Sequence, residues 1–281
     1  MILVTGATGS VGRHVVDGLL ERRQQVRALT RNPDKANLPE SIEIFQGGLE
    51  DTAALEEALQ GVRAVYLIAM GNTPAGFVEV ASRTSVERVV LLSAAEVQDG
   101  PDRQIDGIAE RHGVFERELA ASKLEWTFLR PADFAGNSLQ WAEQIATEGV
   151  VRAPYRDAGT VPIHEKDVAE VAVRALTTEG HSGAKYQLTG PQGLTRADMV
   201  DLIGAVIGRD LLFEEITPEE ARRKMLTFAP ETIVDALHNR LADAVADPMR
   251  PTTVVEEVLG RPARSFSEWV RENSAVFTPA H

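Results

Sequence analysis

The chain contains no cysteine. Disulfide scaffolds, thiolate metal sites and cysteine nucleophiles are excluded at once. It is also short of basic charge: 29 Lys and Arg stand against 42 Asp and Glu, a net charge of −13. Binding to a phosphate backbone needs a surplus of Lys and Arg on one face, so nucleic acid is not an expected partner. No apolar run approaches the roughly 18 residues of a membrane span. No basic leader precedes the apolar Ile2-Leu3-Val4, so no secretory signal is read and a soluble, cytoplasmic protein is expected. The six histidines, His14, His112, His164, His181, His238 and His281, show no metal-ligand spacing, and no Gly-x-Ser-x-Gly nucleophile elbow occurs.

The composition that is left is that of an ordinary globular chain, 43% hydrophobic and 25% charged over 281 residues. That length buries a sizeable core without cross-links. Apolar runs at 2–5, 25–30, 42–45, 64–70 and 88–93 predict strands, and 126–129 and 186–189 predict later ones. Helical periodicity fills 11–23, 52–59, 77–82, 108–122 and 167–177. Asp51 and Asp167 stand where N-caps belong, and Thr195 with Asp198 resembles a capping box. Near-continuous apolar strands alternating with helices mean an α/β fold with a doubly wound, Rossmann-type parallel sheet. From residue 195 the pattern is mostly helical, with further helices at 218–224 and 231–247. The expected organisation is a nucleotide-binding domain over 1–150, segments returning to it from 151–190, and a smaller, mostly helical substrate lobe over 191–281.

The strongest motif is Gly6-x-x-Gly9-x-x-Gly12, directly after the first strand and opening the first helix. Gly6 permits the tight turn, Gly9 lets backbone approach a pyrophosphate, and Gly12 lets helix and strand pack closely. The helix N-terminus then offers free N–H groups and the positive end of its dipole to the phosphates. An Asp or Glu at the end of the second strand would bind the ribose 2′-hydroxyl of NAD. Here that strand ends Leu29-Thr30-Arg31-Asn32. A guanidinium at this place pairs with a 2′-phosphate, so NADPH is expected in preference to NADH. Arg13 is either a second phosphate contact or a solvated surface charge.

These pieces together resemble the NmrA-like group of atypical short-chain dehydrogenase/reductases, which includes quinone and triphenylmethane reductases and redox-sensing regulators. The matching segments are 5–12 (Thr-Gly-Ala-Thr-Gly-Ser-Val-Gly), 29–33 (Leu-Thr-Arg-Asn-Pro), 46–51 (Gln-Gly-Gly-Leu-Glu-Asp), 92–94 (Leu-Ser-Ala), 126–131 (Trp-Thr-Phe-Leu-Arg-Pro) and 186–191 (Tyr-Gln-Leu-Thr-Gly-Pro). The resemblance implies a cofactor lying across the strand ends. Thr8, Gly9, Ser10 and Val11 would meet its phosphates, Arg31 its 2′-phosphate, and Ala69 and Met70 its adenosine half. Ser93 and the loop from Pro131 to Phe134 would sit near the nicotinamide. The chain departs from the family at Gly47-Gly48, where an acid after the glycine is usual; backbone at Gly48 and the side chain of Leu49 are left to meet the adenine. It also lacks the Tyr-x-x-x-Lys of typical short-chain reductases. The corresponding stretch is His112-Gly-Val-Phe-Glu116, a His and Glu pattern that several members of the group show.

Hydride addition to a simple ketone leaves an alkoxide that needs a proton in the transition state. Addition to a quinone or an iminium does not, and can proceed by positioning alone. The missing Tyr and Lys therefore point to a conjugated, electron-poor small molecule as acceptor. His112 is either the proton donor or a capping or surface histidine, and Ser93 is the other catalytic candidate; Glu116 is read as a solvated helix-face carboxylate. Candidate pocket residues are Phe134, Asn137, Leu139, Trp141, Tyr155, Met225 and Phe228, with core the preferred reading for Met225 and Phe228. The leading expectation is an NADPH-dependent reductase, monomeric or homodimeric. The alternatives are a non-catalytic NADP-binding redox sensor with a protein partner, and a sugar-nucleotide epimerase or dehydratase, which the missing Tyr disfavours.

Overall fold

The computed structural model describes residues 1–70, 74–101 and 103–279, so His281 lies outside the described residues. The chain divides into two compact units. The first comprises Met1–Pro131, Glu165–Leu188 and Val258–Gly260; the second comprises Ala132–His164, Thr189–Glu257 and the described residues from Arg261 onward.

In the first unit, strands β1 (Ile2–Thr5), β2 (Val26–Thr30), β3 (Glu43–Gln46), β4 (Ala64–Ile68), β5 (Arg88–Leu92) and β6 (Glu125–Pro131) alternate with α1 (Ser10–Glu21), α2 (Thr52–Ala58), α3 (Pro74–Ala81) and α4 (Gly107–Ala121). The sheet is completed by a returning strand at Ala184–Leu188, and every pairing is parallel, in the order β3-β2-β1-β4-β5-β6 and then that strand. The central strands are apolar on both faces because helices cover both, which is what the alternating sequence predicted. Successive strands step outward on one side of β1 and then cross back to β4 on the other. That reversal opens a crevice at the carboxyl ends of β1 and β4.

Local sequence sets the helix starts. The Asp51 carboxylate accepts the Ala54 N–H at 3.1 Å and caps α2. Asp106 caps α4, accepting from Ile108 and Ala109 at 2.8 Å each, so this helix begins a residue earlier than its periodicity indicated. Asp167 is not an N-cap. Its helix starts at Glu165, and Asp167 lies buried in the first turn, where an acid complements the dipole. β4 stops at Ile68 rather than Met70, because the Met70 N–H turns back to the Ile68 carbonyl at 2.8 Å.

The second unit holds α5 (Ala142–Glu148), β7 (Val150–Ala153) and β8 (Gly159–Thr160). Next in sequence, α6 (Glu165–Thr177) and β9 (Ala184–Leu188, the returning strand) belong to the first unit, where α6 packs on α1. The second unit resumes with β10 (Leu194–Thr195), α7 (Arg196–Ile207), β11 (Leu212–Glu215), α8 (Pro218–Met225), α9 (Glu231–Ala246) and, after α10 (Val254–Leu259), α11 (Phe266–Glu272). β7 pairs with β11 in parallel and β8 with β10 antiparallel. Thr195 and Asp198 form the predicted capping box at the start of α7. Trp141, Ile145, Val151, Ile203, Phe213 and Trp269 belong to this unit's own core. Among the described residues no helix is long and apolar enough to cross a membrane.

Candidate functional site

A cleft of about 440 Å³ lies at the carboxyl ends of β1 to β4. It is lined by Thr5, Gly6, Thr8, Gly9, Leu29, Thr30, Arg31, Gly47, Gly48, Leu49, Glu50, Ile68 and Met70. Gly6 has φ +61°, a left-handed conformation that favours glycine, and this turns the chain sharply out of β1. A Cβ on Gly12 would stand 2.1 Å from the Gly6 carbonyl oxygen, so the helix can seat against the turn only with glycine there. Gly9 is the N-cap of α1 and no side chain caps the helix. The first turn contains no acid. Its open N–H groups and positive dipole end are a ready seat for a pyrophosphate. The glycine cradle and the open helix end therefore fit a dinucleotide.

The other predicted cofactor residues distribute unevenly around this cleft. Ser10, Val11 and Gly12 form the first turn, and Val11 buries its side chain in the core, leaving backbone to face a ligand. Arg13 is exposed and reaches back to the Thr8 carbonyl at 3.4 Å rather than lining the cleft. Arg31 lines it from the end of β2. Ala69 is buried beside the exposed Met70. Sequence reasoning missed Glu50, whose carboxylate oxygens lie 2.5 and 2.6 Å from where a Cβ on Gly48 would stand. The only signal available for it was its place one residue past Leu49.

Ser93, at the end of β5, donates its hydroxyl to Glu116 Oε1 at 2.5 Å. Arg130 on β6 donates to both oxygens of the same carboxylate, at 2.9 and 2.5 Å, and to Asp99 at 2.7 Å. Lys185 on β9 closes the group on Asp99 at 2.6 Å. Glu116 is 5% exposed, so the reading of it as a solvated carboxylate is overturned. Periodicity places it on a helix, but its partners come from strands 14 and 23 residues away. Its neighbours hold Asp99 below the usual carboxylate range, chiefly through the hydrogen bond from Arg130.

His112 sits one turn earlier on α4, and its buried Nδ1 has no hydrogen-bond partner among the described residues. Burial pushes its pKa below the ordinary imidazole value and Arg111 adds to this, while Glu96, Glu116 and the Leu92 backbone pull the other way. The net result is a neutral ring at neutral pH. Pro131, the last residue of β6, is buried and accepts the Ala95 N–H at 3.1 Å.

The pocket candidates all belong to the second unit. Phe134 bridges to Ile163, Asn137 donates to Asp133 at 3.1 Å, and Leu139 is exposed. Trp141 is buried beneath the guanidinium of Arg196, 5.4 Å from its ring centre. Tyr155 has φ +55° and packs edge-on to His238. Met225 is half-buried at the end of α8, and Phe228 is 77% exposed. Core was the wrong reading for Phe228, which follows the helix end. Among the described residues no cluster of three or more His, Asp or Glu could hold a metal ion.

A family profile described as NAD(P)H-binding matches residues 6–179. The chain is 38% identical over 284 residues to a (4-alkanoyl-5-oxo-2,5-dihydrofuran-3-yl)methyl phosphate reductase of Streptomyces griseus, covering 99% of this chain and all of the relative. It is 31% identical to an NAD(P)H azoreductase of Xenophilus azovorans, covering the whole of both. In fold it is similar to an NADPH-dependent quinone oxidoreductase of Escherichia coli, with a TM-score of 0.82 and 25% identity over 98% of this chain and all of that one.

Proposed function

Because the chain belongs to the NmrA-like, NAD(P)H-binding family of atypical short-chain dehydrogenase/reductases and is an NAD(P)H-dependent oxidoreductase, we propose that it uses NADPH to reduce a conjugated, carbonyl-activated double bond or quinone-like ring in a small molecule. The observation that carries this reading is the state of the candidate proton donors. Tyr-x-x-x-Lys is missing, the Ser93 hydroxyl donates its hydrogen bond to Glu116 at 2.5 Å, and burial lowers the pKa of His112, favouring the neutral ring. Chemistry that needs a positioned acid is poorly served by such a set.

The bound cofactor supplies a hydride. In a ring where one double bond is flanked by an acyl group and a lactone carbonyl, as in the substrate named for the 38% identical relative, hydride would add to the β-carbon. The π pair would move to the α-carbon and be shared by two carbonyl oxygens, and the resulting enolate would take its proton from water. Quinones and azo compounds, named for other relatives, are likewise electron-poor acceptors. The chain's own part would be to bind and align its two ligands at near-attack distance. The cofactor preference rests on Arg31, which lines the cleft where no acid stands at the end of β2. A nicotinamide reductant of this kind suits a cytoplasmic enzyme.

Steady-state NADPH oxidation against a matched panel tests the proposal. Acyl-dihydrofuranones and quinones should turn over at least about a hundredfold faster than simple ketones, the usual worth of the absent general acid. Equal rates on simple ketones would reject it.

A further inference from the structure

The dinucleotide cleft of the first unit carries two charges of opposite sign that do not pair with each other. Among its described lining residues only Arg31 and Glu50 bear a charge. No ion pair or hydrogen bond among the described residues holds either side chain. The guanidinium already has a role on the 2′-phosphate. The carboxylate has none, and no anionic part of the cofactor gains from it.

Gly48 is what lets Glu50 reach into the cleft. The Glu50 carboxylate lies folded over this glycine: a Cβ at position 48 would stand 2.5 and 2.6 Å from its two oxygens. Backbone conformation does not demand glycine there, because φ at Gly48 is not positive. Gly47 beside it has a different reason, since a Cβ there would stand 2.6 Å from the Ala54 Cβ on α2. The walls around the carboxylate are apolar. Leu29 and Leu49 are buried, the exposed Met70 lines the same cleft, and Glu50 itself is exposed. Apolar walls with one aimed polar group are the usual means of holding a flat ring in a fixed orientation.

We infer that Glu50, admitted by Gly48, accepts a hydrogen bond from the exocyclic amino group of the cofactor's base and so selects adenine. The sheet order supports this placement. The phosphates belong at the end of β1 and the start of α1, and the 2′-phosphate at Arg31 after β2. The base hangs from the ribose that carries the 2′-phosphate, and the loop after β3, the next strand outward, holds Gly47 to Glu50. An ionised carboxylate only accepts, so it suits an amino group and no part of the base that lacks N–H. The base contact thus falls to the side chain two residues past Gly48, beyond the backbone and Leu49 that the sequence alone offered. The inference rests on the NADPH reading above and is independent of the acceptor.

The test compares the affinity of NADPH with that of its 6-deamino analogue, in which hydrogen replaces the amino group of the base. Fluorescence titration of the wild type should favour NADPH by about tenfold, the low end for a hydrogen bond to a charged group, as befits an exposed one. Glu50→Ala should bring the two within about twofold, and Glu50→Gln, which keeps an acceptor oxygen, should retain part of the margin. Gly48→Ala should lose the margin as well, with the acid still present, because its methyl takes the place of the carboxylate. The NADPH to NADH ratio set by Arg31 should persist in Glu50→Ala, which also reports that the variant folds. Equal affinities in the wild type would overturn the inference and leave the reductase reading standing. So would a margin that survives Glu50→Ala or Gly48→Ala. A wild-type protein that binds neither NADPH nor the analogue would overturn both.

Discussion

The Ser93 hydroxyl and the Glu116 carboxylate are joined at 2.5 Å, and the same carboxylate accepts two hydrogen bonds from Arg130. The serine proton is directed into the protein. The carboxylate is fixed by three donors from two neighbouring strands. A helix and the carboxyl ends of β5 and β6 are thereby tied together.

Removing the carboxylate should therefore cost stability before it costs chemistry. Glu116→Leu leaves Arg130 with Asp99 as its only remaining acid partner among the described residues. Breaking one side of a buried pair costs about 3–5 kcal/mol. The thermal midpoint should fall by on the order of 10 °C in a chain this size. Calorimetry showing a fall of under about 2 °C would mean that the pair contributes little.

The three loop glycines should respond differently to a methyl group. At Gly9 the conformation, φ −77° and ψ 172°, suits any residue, and the nearest atom to an added Cβ is the Gly6 oxygen at 3.2 Å. Gly9→Ala should fold and lose NADPH affinity by about tenfold or more, since the methyl occupies the approach to the pyrophosphate. At Gly12 the same methyl would meet backbone at 2.1 Å, so Gly12→Ala should be destabilised whether or not cofactor is present. Fluorescence titration and melting curves separate the two effects. Wild-type NADPH affinity in Gly9→Ala would remove this loop from the phosphate site.

Cofactor choice should reside in one side chain. Arg31 lines the cleft at the end of β2. NADPH should bind at least about tenfold more tightly than NADH, roughly 1.4 kcal/mol, and Arg31→Ala should erase most of that margin. Calorimetric titrations giving equal affinities in the wild type would contradict the assignment.

How much of this was readable in advance depended on the range of the interactions. The Gly6, Gly9 and Gly12 turn was legible because its steric demands lie within seven residues. The Asp51 cap and the Thr195–Asp198 box were legible for the same reason. Glu116 was not, because helical spacing says nothing about which strand residues a side chain will meet. Glu50 escaped because a loop after β3 has no periodicity to reveal which way it points. Arg196 and His238 carry no local signal at all: each is an ordinary helix residue in sequence, and only the packing of the second unit buries them unpaired.

The central claim is that the protein positions its reactants and supplies no proton of its own. It is tested most directly by turnover of the wild type and His112→Ala on one quinone, with saturating NADPH, from about pH 6.5 to 9, the range above an ordinary histidine titration. Burial lowers the pKa of His112, so the ring holds its proton less tightly than an ordinary imidazole and the neutral form predominates through that window. The account predicts a turnover in the variant within about tenfold of wild type, and no fall in wild-type rate attributable to a histidine losing its proton. A loss of about a hundredfold in His112→Ala, together with disappearance of a wild-type pH dependence near neutrality, would contradict it and make His112 the acid.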